Sequence, residues 1–156
     1  MMKLLKKLPS RVLLFSWLTL VAAGTLGAAE KQPQTVQVSI GTILASNQSD
    51  EFDAKLKGME GQLKVLKYRS YRLLKNESQS VPWRGEKVFE IPGGRTLTVT
   101  PQEFQDNQVS VKVRLTQGQK PALDTTVKIP NKRNFILAGP QHEGGILVLS
   151  ISASAQ

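Results

Sequence analysis

The stretch VSVKVRL (Val109–Leu115) sets Val109, Val111, Val113 and Leu115 at every second position, with Ser110, Lys112 and Arg114 between them. Successive side chains of a β-strand point to opposite faces, so this alternation lays one face on a core and leaves the other wet. The segments around it repeat the pattern. After QGQKP, a turn, LDTTVKI carries Leu123, Thr125, Val127 and Ile129 inward. Asp124 then falls on the outer face with Thr126 and Lys128, where a cross-strand ion pair accounts for it. PNKRN turns the chain into FILAG, and GILVLSISA (Gly145–Ala153) begins nearly all apolar, as a central strand covered on both faces does.

Upstream, EKVFEIPGGRTLTVTP reads as a hairpin: Phe89 and Ile91 face in, PGG makes the turn, and Leu97 and Val99 return. KYRSYRLL (Lys67–Leu74) and TVQVSIGTIL (Thr35–Leu44) also alternate, and the polar KNESQS stands between KYRSYRLL and the hairpin. One segment has a different period. Phe52, Leu56, Met59, Leu63 and Leu66 recur at steps of four and three, which draws an apolar stripe on a helix, with Lys55, Lys57 and Lys64 outside it. Ser49 is expected as its N-cap, with Asp50, Glu51 and Asp53 in the first turn and Lys64 and Lys67 near the end. Gly58 and Gly61 interrupt it, each costing about 1 kcal/mol relative to Ala. They read as points of close packing on a sheet or as the start of fraying. The expected fold is α+β: an antiparallel sheet or sandwich of about eight strands, with one amphipathic helix over about residues 50–66 packed on one face.

The N-terminus is set apart from this domain. Lys3, Lys6, Lys7 and Arg11 precede an uncharged apolar run (Val12–Ala23), and GTLGAA follows with Gly27 and Ala29 at the positions a signal peptidase reads. Residues 1–29 are therefore expected to be a secretory signal peptide cut before Glu30, the competing reading being an uncleaved anchor. Residues 30–156 form the single domain. No cysteine is present, so neither a lipid-modified N-terminus nor disulfides can hold the protein, and stability must come from a packed core. The formal charge of +9 falls to 17 − 12 = +5 once the signal is removed, a moderately basic balance suited to anionic surfaces.

Chemistry-bearing residues are few. His142 is the only histidine, and its setting, GPQHEGG, has the composition of a loop. Without cysteine or a second histidine there is no His-based zinc centre, no metal or other cofactor is expected, and no GxSxG elbow accompanies His142 for a triad. Glu103, Asp106, Asp124 and Glu143 are the acids near strand ends, and a glycosidase would need two of them facing each other. PGGRTLT lacks the Lys-Ser/Thr ending and the helix of a phosphate loop, so a hairpin turn explains it. KVLKYRSYRLLK (Lys64–Lys75) interleaves five basic residues with Tyr68 and Tyr71, a composition able to meet polyanions. The same run also suits an edge strand guarded by charge. Tyr68, Arg69, Tyr71 and Arg72 are the expected contact residues. NQS (Asn47–Ser49) and NES (Asn76–Ser78) match the glycosylation sequon, which matters in a eukaryotic source, whereas the short Lys-rich signal reads as bacterial.

The segments LTVTPQ, NQVSVKVRL, DTTVKI and FILAGP together resemble the β-rich stretch of bacterial secretins, in which alternating valines precede TTV, a turn and an apolar strand ending in Gly. NKRN stands where that pattern has a glycine-bearing turn, and the sequence ends short of the membrane hairpins of a secretin. What the resemblance implies is an envelope context.

These readings lead to an exported, non-enzymatic binding or structural module of the cell envelope, periplasmic or secreted, in a secretion-type assembly. Its expected partner is another envelope protein or an anionic surface, and not nucleic acid. Membrane contact is expected only through the signal segment or peripheral electrostatics. The alternatives are a small secreted hydrolase acting on an envelope polymer, and a binder of anionic lipid or glycan.

Overall fold

The structure, a computed structural model, describes residues 34–156; the expected signal segment lies outside them. Eight antiparallel strands form two four-stranded sheets. β1 (Thr35–Ser46), β2 (Ser70–Pro82), β7 (Arg133–His142) and β8 (Gly145–Ala155) make the first, in the order β2-β1-β8-β7. β3 (Lys87–Ile91), β4 (Arg95–Gln105), β5 (Gln108–Gln117) and β6 (Lys120–Pro130) make the second, in sequence order. All ladder neighbours are consecutive in sequence except β1 and β8, which pair from Val36↔Ala155 to Ser46↔Gly145. The path is thus an up-and-down circuit slit at two seams, β2/β3 and β6/β7, where the backbone passes between sheets.

The period-two residues meet in one core. Val36, Val38, Ile40, Leu147, Leu149 and Ile151 of the first sheet pack on Phe89, Leu97, Val99, Val111, Val113, Leu115 and Ile129 of the second. This makes a sandwich filled by side chains. On the outer face of the second sheet Arg114 lies directly opposite Asp124, with Nη2 3.1 Å from the carboxylate. That is the pair the alternation called for.

A third layer covers the far side of the first sheet. Leu56 and Leu63 are buried there against Ile43, Ala45, Tyr71 and Val148, with Phe52, Met59 and Leu66 partly covered beside them. The apolar stripe is as expected, but the helix is not one continuous α-helix over residues 50–66. It begins as a 3₁₀ helix (Ala54–Met59) and becomes α1 (Glu60–Lys64). Asp53, and not Ser49, is the N-cap; its carboxylate accepts from the backbone N–H of Lys55 at 3.0 Å and of Leu73 at 3.2 Å. Close packing does not explain Gly58 and Gly61, because a Cβ at either would meet nothing within 4 Å. The change of helix type falls between them.

The polar segment KNESQS continues β2 beyond the alternating KYRSYRLL. Lys75 to Ser80 pair with Thr42 to Gln37 of β1. Leu74 is an extra residue where the register shifts between Thr42 and Ile43, and the bulge changes which side chains face inward. Tyr71 and Leu73 pack on the helix layer, whereas Leu74 packs on the sandwich core.

Candidate functional site

Three of the five cations of the basic run have an acidic partner in the fold. Lys64 pairs with Glu60 one helical turn away at 2.6 Å, and Lys75 approaches Glu77 at 3.4 Å. Arg69 holds the Asp50 carboxylate with two bonds of 2.7 Å, which keeps that carboxyl below the usual carboxylate range and raises the guanidinium. Of the four expected contact residues, Arg69 and Arg72 are exposed and Tyr68 is half-buried. Tyr71 is 2% exposed, and its hydroxyl donates to the Leu63 carbonyl at 2.6 Å while accepting from the Tyr68 N–H at 3.1 Å. Tyr71 therefore joins helix to sheet as a core residue, and the four do not form one accessible surface.

His142 is not at an exposed loop tip. It ends β7 opposite Gly145, and Glu143 and Gly144, both at positive φ, make the two-residue turn beyond it. Its side chain is 13% exposed and faces Arg95. Arg95 opens β4 at the same inward parity as Leu97 and Val99, and is itself 7% exposed. Its Nη1 donates to the Pro92 carbonyl at 2.9 Å and lies 3.3 Å from His142 Nδ1; its Nη2 donates to the Gln141 carbonyl at 2.8 Å. The guanidinium thus bridges the β3–β4 turn and the β7–β8 hairpin. Among the described residues it forms no ion pair and its buried Nε–H meets no acceptor. Two open clefts adjoin this bridge. One, about 540 Å³, is lined by Tyr68, Gln141, His142 and Glu143 through Ile146; the other, also about 540 Å³, by Lys75, Glu90 to Gly94, Arg95 and Thr96.

The remaining candidates do not assemble an acid–base pair of useful size. Asp106 is in the two-residue turn between β4 and β5, at positive φ with Asn107. It shares with Glu103 a groove of only about 30 Å³, the room of a water or so. Asp124 is held by Arg114, and among the described residues no serine or threonine lines the His142 cleft. Trp83 lies 6.5 Å from Phe104 and is not among the described residues that line the clefts beside Arg95.

The sheet edges are unequal. β3 has five residues; β6 is bracketed by Pro121 and Pro130; β7 carries Pro140 within its register shift. The first part of β2 is capped by Glu51 and Asp53, which exchange backbone hydrogen bonds of 2.9 Å with Tyr71. From Asn76 to Ser80, β2 has no proline and no second ladder among the described residues. Along β1 the backbone turns alternately toward β2 and β8: Ser46 accepts from Arg69, whereas Thr35 accepts from Gln156. By that alternation Asn76, Ser78 and Ser80 turn their backbone groups outward.

Comparison with family models, curated proteins and solved structures finds no match in any of the three. The segments LTVTPQ, NQVSVKVRL, DTTVKI and FILAGP fall on β4, β5, β6 and β7, successive strands of this circuit.

Proposed function

We propose that this protein is an exported, non-enzymatic binding or structural module of the cell envelope, a component of a secretion-type assembly, which takes a partner strand along β2. The observation that carries the reading is the stretch Asn76–Ser80 of the edge strand β2, a run without proline, small and polar on its outward face, and with no covering segment among the described residues. Edges left in this state pair readily with another polypeptide, and proteins that do not use them protect them. The small polar side chains of Asn76, Ser78 and Ser80 leave room for an added strand on the helix-bearing side of the sheet. Pairing of Lys64, Arg69 and Lys75 with acids lowers the appeal of a polyanion ligand.

The test is capture of envelope proteins on the C-terminally tagged protein at two salt concentrations, with wild type beside Ser78→Pro. The substitution deletes an outward N–H and obstructs a new ladder while leaving the bonds of Glu77 and Gln79 to β1. A defined partner retained by wild type at high salt and lost by Ser78→Pro supports the reading. Equal retention by the variant overturns it, and loss of everything at high salt transfers the function to the basic surface.

A further inference from the structure

We propose that Arg95 is a carboxylate-binding residue, and that the strand taken by β2 brings an acidic residue or a free C-terminal carboxylate to it; the second clause rests on the function proposed above. Arginine keeps its charge at any pH at which a protein folds, so a covered guanidinium needs either a counter-charge or a full set of acceptors. Among the described residues Arg95 has neither: two carbonyls and an imidazole nitrogen engage its Nη atoms, and Nε is left without a partner. A buried donor in that condition calls for an explanation.

The nearby acids do not supply the missing charge. Glu90 lines the same cleft, but Phe89 and Ile91 face the core, so strand alternation turns Glu90 to the outer face of its sheet. Glu77 is engaged by Lys75, and Glu143 approaches His142 at 3.7 Å. The planar fork of a guanidinium matches a carboxylate in charge and geometry, which favours that class over a phosphate dianion at a single arginine. Lys75 connects the site to the proposed docking edge. It lines the cleft with Arg95 and immediately precedes the uncovered stretch Asn76–Ser80 of β2. Its Nζ donates to the Glu90 carbonyl at 3.2 Å, which anchors that end of β2 to the β3–β4 hairpin.

The deciding experiment titrates the protein with sodium acetate against sodium chloride at constant ionic strength, read at the Arg95 Nε–H resonance and by Tm. A saturable shift and a rise in Tm with acetate alone are expected, both lost in Arg95→Met. If that variant does not fold, the wild-type resonance decides by itself. An unmoved resonance, an equal response to chloride, or a response to inorganic phosphate without one to acetate overturns the proposal. Three hexapeptides then separate the sources: one with a free C-terminus, one amidated with an internal Glu, and one amidated without acid. Binding by either of the first two identifies the carboxylate, and equal binding by all three overturns the site. An acetate response together with unimpaired partner capture by Ser78→Pro keeps Arg95 and removes strand addition; the opposite pair of results does the reverse.

Discussion

Nη1 of Arg95 lies 3.3 Å from Nδ1 of His142. A guanidinium can only donate, so Nδ1 accepts and the ring proton belongs on Nε2, on the side of Glu143 Oε1. The ¹⁵N shifts of the His142 ring should report the Nε2–H tautomer, and a protonated Nδ1 in a neutral ring would contradict the bridge. His142→Phe keeps much of the volume but deletes the acceptor, leaving another buried donor of Arg95 without a partner. Urea unfolding should show a loss of about 1–3 kcal/mol.

Gly93 and Gly94 offer a matched comparison. Both have positive φ, +89° and +71°, but a Cβ at Gly93 would fall on the Arg95 guanidinium while one at Gly94 meets nothing within 4 Å. Gly94→Ala should cost only the left-handed backbone penalty, about 1 kcal/mol. Gly93→Ala adds displacement of a buried charged group and should cost clearly more. Equal losses in thermal denaturation would mean that Arg95 moves aside freely.

The helix layer depends on Tyr71 and Leu63. Tyr71→Phe removes the hydroxyl that donates to the Leu63 carbonyl at 2.6 Å, and should cost about 1 kcal/mol. Leu63→Ala empties a fully buried position and should cost about 2–5 kcal/mol. Hydrogen exchange should show residues 54–66 opening in the second variant while the β4–β5 ladder stays protected. Uniform loss of protection would show that helix and sandwich are one cooperative unit.

Two carboxylates give stability a dependence on acid. Backbone hydrogen bonds from Lys55 and Leu73 hold Asp53 below its ordinary value, and Arg69 does the same for Asp50. A depressed folded pKa means that the ionised form favours the fold. Each contribution is complete above the unfolded value, about 3.9, and is lost as pH falls through the lower folded value. The urea midpoint of Asp53→Asn should therefore fall less steeply than wild type below about pH 4. Identical slopes would remove Asp53 from the account. Asp50 and Arg69 are both exposed, so their share of the slope is small.

The parts of the fold that were legible are those where burial alternates. Val109–Leu115 and Leu123–Ile129 each place one face on the core, and β8 is apolar at its start because it packs on the sandwich through Leu147 and Leu149 and on the helix layer through Val148. The second half of β2 was illegible for the same reason. It lies at an edge, where Asn76, Ser78 and Ser80 bury little and carry the residue types of a connection. A bulge at Leu74 also resets the alternation. Arg95 was missed because PGGRT reads as a turn, yet a signal was present: Arg95, Leu97 and Val99 stand two apart, which puts the arginine on the inward face. For His142 no such signal exists, since the shift between Ala138 and Gln141 breaks the count along β7.

The ladder between β1 and β8 also orders events in time. The strand made first among those described lies in the middle of its sheet, and one whole row of its backbone groups waits for the strand made last. β3 to β6 can zip hairpin by hairpin as they emerge, but the first sheet closes only when both ends of the circuit meet. Joining so distant a pair is entropically demanding and slows folding. The same adjacency suits the protein to circular permutation: a short linker from Ala155 to Thr35, with new ends at the Gly118–Gln119 turn, would turn the slowest pairing into a local hairpin.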